Sequence, residues 1–138
     1  MSQRQYERGP SGAATQCHGA VDYTVSFAPQ GTGAPLFVEG DTAGKSTGSY
    51  GTVARTGVGV FTFKTSDPFA GLNQFGGEVV NNTPGNWNLQ WGPITQNADK
   101  TWTVTLTALL AGTATEIAAN ANSKICIWLR FRNSSVLP

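Results

Sequence analysis

Apolar and polar positions alternate with a period of two along most of this chain, and the alternation predicts short β-strands. From Ala20 onward, Val21, Tyr23, Val25 and Phe27 fall on one face and Asp22, Thr24 and Ser26 on the other, the pattern of a half-buried strand. Pro29 to Pro35 is rich in glycine and bounded by prolines, which predicts a turn before the short apolar segment Leu36-Phe37-Val38. Gly40 to Gly51 then reads as a polar loop. Further strands are expected over Val53–Thr56, Val58–Lys64 with Phe61 and Phe63 in phase, and Glu78–Asn82. Asn86–Trp91 sets Trp87, Leu89 and Trp91 against Asn88 and Gln90, and Asn97-Ala98-Asp99-Lys100 is a hairpin loop leading into Thr101–Leu109. That strand turns Trp102, Val104 and Leu106 to the core and Thr101, Thr103, Thr105 and Thr107 outward.

The strongest alternation closes the chain. Lys124–Arg132 sets Ile125, Ile127, Leu129 and Phe131 against Cys126, Trp128, Arg130 and Arg132. The one stretch with a helical option is Thr115–Asn122, where Thr115 is placed to cap a turn containing Glu116 and alanines. So short a segment holds as a helix only when packed, so helix and loop both stay open there. Turn signals recur at the spacing of a sandwich or barrel, so the expected fold is all-β: an antiparallel β-sandwich or jelly-roll-like barrel over residues 19–138. Residues 1–18 mix Gly, Pro, Ser and Gln with charges and follow neither period, so they read as an extended N-terminal arm.

Composition narrows the function. At 138 residues the chain fits one domain, large enough to hide roughly 68% of its unfolded surface without disulfide or metal staples. Charged residues are 12% of the chain, against roughly 25% in an ordinary soluble domain. A polar but uncharged surface avoids the cost of desolvating ions, which suits a face covered by another protein. The net charge of +1 gives no field that seeks polyanions, so nucleic acid is not an expected partner. No apolar run of about 18 residues occurs, so no membrane span is expected, and the N-terminal residues lack the apolar stretch of a secretory signal. The reading is a protein made in the cytoplasm and kept there until assembly. In that reducing compartment Cys17 and Cys126 are expected as free thiols.

Candidate chemistry is thin. Gly40-Asp41-Thr42-Ala43-Gly44-Lys45-Ser46 approaches a phosphate-binding P-loop, but the spacing is one residue short and Glu39 stands where the first glycine belongs. The sole histidine, His18, adjoins Cys17, and neighbours on an extended chain point apart, which argues against a dyad. One histidine and two distant cysteines lack the ligand spacing of a zinc site. Glu39 and Asp41 could share a face as calcium ligands or an acid and base, but nothing apolar surrounds them to raise a pKa, and a solvated turn is preferred. No catalytic, cofactor-binding or metal residue is therefore assigned, and an enzyme is not expected. Trp87, Trp91 and Trp102 occupy apolar phases and belong to the core, whereas Trp128 shares its face with Arg130 and Arg132. That trio is an amphipathic patch of the residue types enriched at protein interfaces, preferred here over a sugar platform.

The closing segment Ile125-Cys126-Ile127-Trp128-Leu129-Arg130-Phe131-Arg132-Asn133-Ser134-Ser135-Val136 and the preceding Gly112-Thr113-Ala114-Thr115-Glu116-Ile117-Ala118 resemble the ends of small virion proteins of tailed bacteriophages. So does Val53-Ala54-Arg55-Thr56-Gly57-Val58-Gly59-Val60-Phe61-Thr62, and together the likeness covers about half the chain. Among such proteins it is similar in character to the cement, or decoration, proteins that sit outside a capsid and bridge neighbouring capsomers. The resemblance implies a sandwich or jelly-roll body, a homodimer or homotrimer, and an arm lying across the major capsid protein, on the capsid exterior. Arg4, Tyr6 and Arg8 alternate along that arm and would face one surface together when it is extended. They join Trp128, Arg130 and Arg132 as expected contacts with capsid or self. The alternative is a tail-fibre or receptor-binding tip that grips a host glycan through Trp128 or a loop aromatic such as Tyr50.

Overall fold

The computed structural model describes residues 20–39 and 43–132, and the elements among them are strands. In order they are β1 (Ala20–Gln30), β2 (Gly33–Phe37), β3 (Gly51–Gly57), β4 (Val60–Thr65), β5 (Gly71–Val80), β6 (Trp87–Gln96), β7 (Trp102–Leu110), β8 (Thr113–Ala114) and β9 (Lys124–Arg132). They build two antiparallel sheets, one in the order β2-β1-β9-β5 and the other β3-β4-β7-β6 with the short β8 added to β7. The fold is a β-sandwich, as the alternation predicts.

The inward phases read from the sequence supply its core. Tyr23, Val25 and Phe27 of β1 and Ile125, Ile127, Leu129 and Phe131 of β9 are buried against Val53, Phe61, Phe63, Val104 and Leu106 of the facing sheet. Burying each such side chain is worth about 1.5–3 kcal/mol relative to leaving it in water, so the two apolar faces hold the sheets together. Phe69 and Phe131 stack with centroids 4.4 Å apart, and Tyr23 meets both edge-on. The Tyr23 hydroxyl donates to Asp67 at 3.2 Å; burial, then the neighbouring Asp67 carboxylate, pushes the phenol up to about 12.

Several boundaries differ from the sequence reading, each for a local reason. The expected turn Pro29–Pro35 shrinks to Gly31-Thr32, with both prolines inside strands. Pro29 lies beyond the β1–β9 pairing, which ends at Phe27, and at an irregularity in the β1–β2 register; Pro35 lies on edge strand β2. Val58 and Gly59 do not begin a strand: Gly59 has φ +68°, where a Cβ would lie 2.7 Å from the Thr115 carbonyl oxygen, so β3 and β4 turn there. Only Glu78–Val80 of the expected Glu78–Asn82 is strand, the end of a longer one, because Gly71, Gly76 and Gly77 hide the first part of β5 from an apolar count. β6 likewise runs past Trp91 to Gln96 through an irregularity at Gly92-Pro93.

Thr115–Asn122 is not a helix. Glu116 is drawn to Arg55, Ile117 is buried, and the Ile117 carbonyl accepts from the Gly31 amide at 3.0 Å, so tertiary contacts hold the segment irregular. Thr101, expected outward, is buried at 6% exposure just before β7, where Asn97 and Asp99 of the hairpin loop bind its hydroxyl. The loop itself falls at Asn97–Lys100 as expected, with the Asn97 amide donating to Thr101 and the Lys100 amide to Asn97.

The two flanks of the sandwich are unequal. On one, the segment 43–48 laces β2 to β3: the Phe37 amide donates to the Lys45 carbonyl at 2.8 Å and the Val53 amide to the Ser46 carbonyl at 2.9 Å. On the other, β5 and β6 are both edge strands. Between them Leu72, Val79, Trp87, Leu89, Trp91 and Ile94 are only partly buried, and Phe75 is 42% exposed.

Candidate binding face of the first sheet

The outward face of the first sheet gathers side chains that the sequence scatters over a hundred positions. Antiparallel register aligns Thr24, Trp128 and Gly76 in one row across β1, β9 and β5, and Asp22, Arg130 and Gln74 in the next. Period-two alternation then points all of them away from the core. Trp128, Arg130 and Arg132 share this face, as the sequence predicts; Arg4, Tyr6 and Arg8 lie outside the described residues.

Trp128 is 49% exposed. A Cβ built on Gly76 would sit 2.4, 2.6 and 2.9 Å from its Cζ2, Cε2 and Nε1 atoms. The Nε1–Cε2–Cζ2 side of the indole is therefore what meets the glycine. The indole packs that side against Gly76 and leaves about half of its surface open to solvent.

Arg130 is engaged by Asp22, donating from Nε at 2.7 Å and from Nη2 at 3.0 Å to the two carboxylate oxygens. This fork is the preferred guanidinium–carboxylate geometry. The hydrogen bond and charge of Arg130 hold the Asp22 carboxyl below the usual carboxylate range. The pair leaves the patch nearly neutral. Arg132 serves differently: its guanidinium lies against Gly71, where a Cβ would be 3.3 Å from Nη2, and its Nε is buried without a hydrogen-bond partner. It packs at the sheet's end rather than beside Trp128, so the expected Trp-Arg-Arg cluster divides into a Trp128–Arg130 site and a separate Arg132.

Asp22, Thr24, Gln74, Trp128 and Arg130 line a shallow depression of about 200 Å³. Sequence reading names only two of these as site residues. Asp22 and Thr24 stand on the outward phase of β1 and are findable by asking what β9 pairs with; Gln74 and Gly76 are hidden in the glycine-bearing part of β5 before Glu78. One row further, Cys126 is a free thiol whose Sγ accepts from the Ser26 hydroxyl at 3.5 Å, while Cys17 and His18 lie outside the described residues. Glu39 is exposed, and Asp41 falls outside them as well.

No protein-family model, curated protein or solved structure matches the chain. Among the described residues, no group of three or more His, Cys, Asp or Glu side chains is placed to hold a metal ion, and no helix is long and apolar enough to cross a membrane.

Proposed function

We propose that this chain is a virion structural protein that binds the outside of a phage capsid and cements neighbouring major capsid protein subunits, acting as a homodimer or homotrimer. The observation that carries the reading is the open flank between β5 and β6. There Phe75 packs on Trp91 with centroids 4.7 Å apart while Phe75 stays 42% exposed, and the strands on both sides of the seam are sheet edges. Exposed apolar surface of this kind marks an interaction site, and an edge strand offers unpaired backbone groups to another chain. The sparse charge and the virion-protein resemblance of the closing strand support the same reading. In it, Arg4, Tyr6 and Arg8 reach along the capsid from an arm of residues 1–18, which extended spans up to roughly 60 Å. Many weak contacts then hold through simultaneous engagement of the oligomer.

The test is co-sedimentation of the purified chain with capsids lacking it. Saturation at hundreds of copies per capsid supports cementing, and a chain without residues 1–18 should stay folded yet fail to bind. Absence of the protein from the head shell in a virion reconstruction would sink the proposal.

A further inference from the structure

The open flank explains how copies or capsid subunits could adhere, but it makes no use of Trp128. A tryptophan that anchors a protein interface usually fills a pocket in its partner. Trp128 instead packs against Gly76 and lines a shallow depression with its ring half exposed. Its neighbours are planar or hydroxylic hydrogen-bonding groups: the Asp22–Arg130 fork in the next row, Gln74 across from Arg130, and Thr24 beside the indole.

We infer that this platform is a binding site for a neutral sugar ring. The flat face of a pyranose carries C–H bonds that pack on an indole, while its rim carries hydroxyls that both donate and accept. The groups around Trp128 match that rim. Gln74 supplies an amide with both functions, Thr24 a hydroxyl, and the Asp22 carboxylate oxygens retain lone pairs after accepting from Arg130. Because Asp22 already meets the charge of Arg130, an anionic ligand gains little there, which selects a neutral ring over a phosphate or an acidic peptide. The fork also fixes its two side chains before any ligand arrives, so little ordering remains to oppose binding. The site is independent of capsid attachment: a cement protein would display it outward, and the rival reading of a glycan-gripping tip would use the same ring.

The full-length chain labelled with ¹⁵N gives one indole N–H signal for each of its four tryptophans. Glucose, galactose, mannose and N-acetylglucosamine are titrated separately. The expected result is saturable movement of the Trp128 signal with at least one of them, at a dissociation constant on the order of 1 mM or weaker for a single ring. The other three indoles should stay still. Gly76→Ala, which lifts the ring from its bed, and Gln74→Ala should each weaken binding by about tenfold or more without shifting the melting midpoint. Should Gly76→Ala fail to fold, Gln74→Ala alone decides. No saturable movement with any of the four sugars overturns the inference, as does binding unchanged in both variants. Movement of Trp128 on adding capsid protein but none of the sugars also overturns it and assigns the face to a protein contact.

Discussion

Trp128 rests on Gly76, and the next residue, Gly77, faces the opposite way, into the sandwich. A Cβ at 77 would lie 2.8 Å from the Cys126 carbonyl oxygen and 2.9 Å from Leu89 Cδ2 of the other sheet. Adjacent glycines thus serve two surfaces, and alanine should separate them. At 76 the obstructing atoms belong to an exposed ring that can rotate away, so Gly76→Ala should change stability by no more than about 0.5 kcal/mol. At 77 the obstruction is backbone and packed core, so Gly77→Ala should cost about 1–3 kcal/mol. Urea unfolding of both variants checks this; equal losses would mean that the ring at 76 is as fixed as the core.

Glu116 ties the irregular segment 115–123 to the β3–β4 hairpin. Arg55 donates to it from Nε at 3.2 Å and from Nη2, and the Gly59 amide donates to Oε1 at 2.9 Å. The Arg55 hydrogen bond, then that of Gly59, hold the carboxyl below its ordinary value of 4.5. A carboxyl whose pKa is lower folded than unfolded adds stability above the unfolded value, and that stability drains away as pH falls through the folded one. Asp99, held down chiefly by the Thr101 hydroxyl, and Asp22 act in the same direction. The melting midpoint should therefore be level from pH 7 to about 5 and fall below about 4.5. Glu116→Gln should be less stable at pH 7 by about 1 kcal/mol and lose less on acidification, as thermal scans across pH would show.

Much of this was legible in the alternation. Phases for β1, β7 and β9 name nine of the sixteen buried apolar residues, because a side-chain period of two on a half-buried sheet leaves little freedom in register. What escaped detection were segments whose roles are set by distant partners. The middle of β5 carries Gly76 and Gly77 where Trp128 and the facing sheet come close, and glycine reads as a breaker unless those neighbours are known. Thr115–Asn122 has local helical character, but Arg55, sixty-one positions away, pulls Glu116 out of it. The site followed the same rule: Trp128 and Arg130 sit on one strand and announce themselves, whereas Asp22 and Gln74 join them only through pairing across the sheet.

The β7–β8 hairpin turns on Ala111 and Gly112, with φ +51° and +87°. Two consecutive positive φ values mark the type I′ turn, for which asparagine and glycine are the favoured first residues. Alanine pays about 1 kcal/mol to sit in that left-handed region. Ala111→Asn should recover part of it and raise stability by about 0.5 kcal/mol, since asparagine enters the region more readily. Chemical denaturation at neutral pH would read the gain. A loss would show that the alanine methyl makes a contact worth more than the relieved strain.

Phe75 and Trp91 give the open flank its most exposed apolar contact, and they offer a direct test of the proposed self-association. Their rings meet at 4.7 Å and an interplanar angle of 55°, joining two sheets whose edge strands β5 and β6 share few other contacts. A second copy laid on this seam would cover both edges and the partly buried Trp87, Leu89 and Ile94. Phe75→Asp places a charge at the centre of that surface, and burying an unpaired carboxylate in an interface is strongly unfavourable. In the monomer the residue is 42% exposed, so the charge stays hydrated and folding should lose about 1 kcal/mol or less. Sedimentation equilibrium should then show the wild-type chain as a dimer or trimer and Phe75→Asp as a folded monomer. A variant that assembles as well as wild type would place the subunit contact elsewhere on the sandwich.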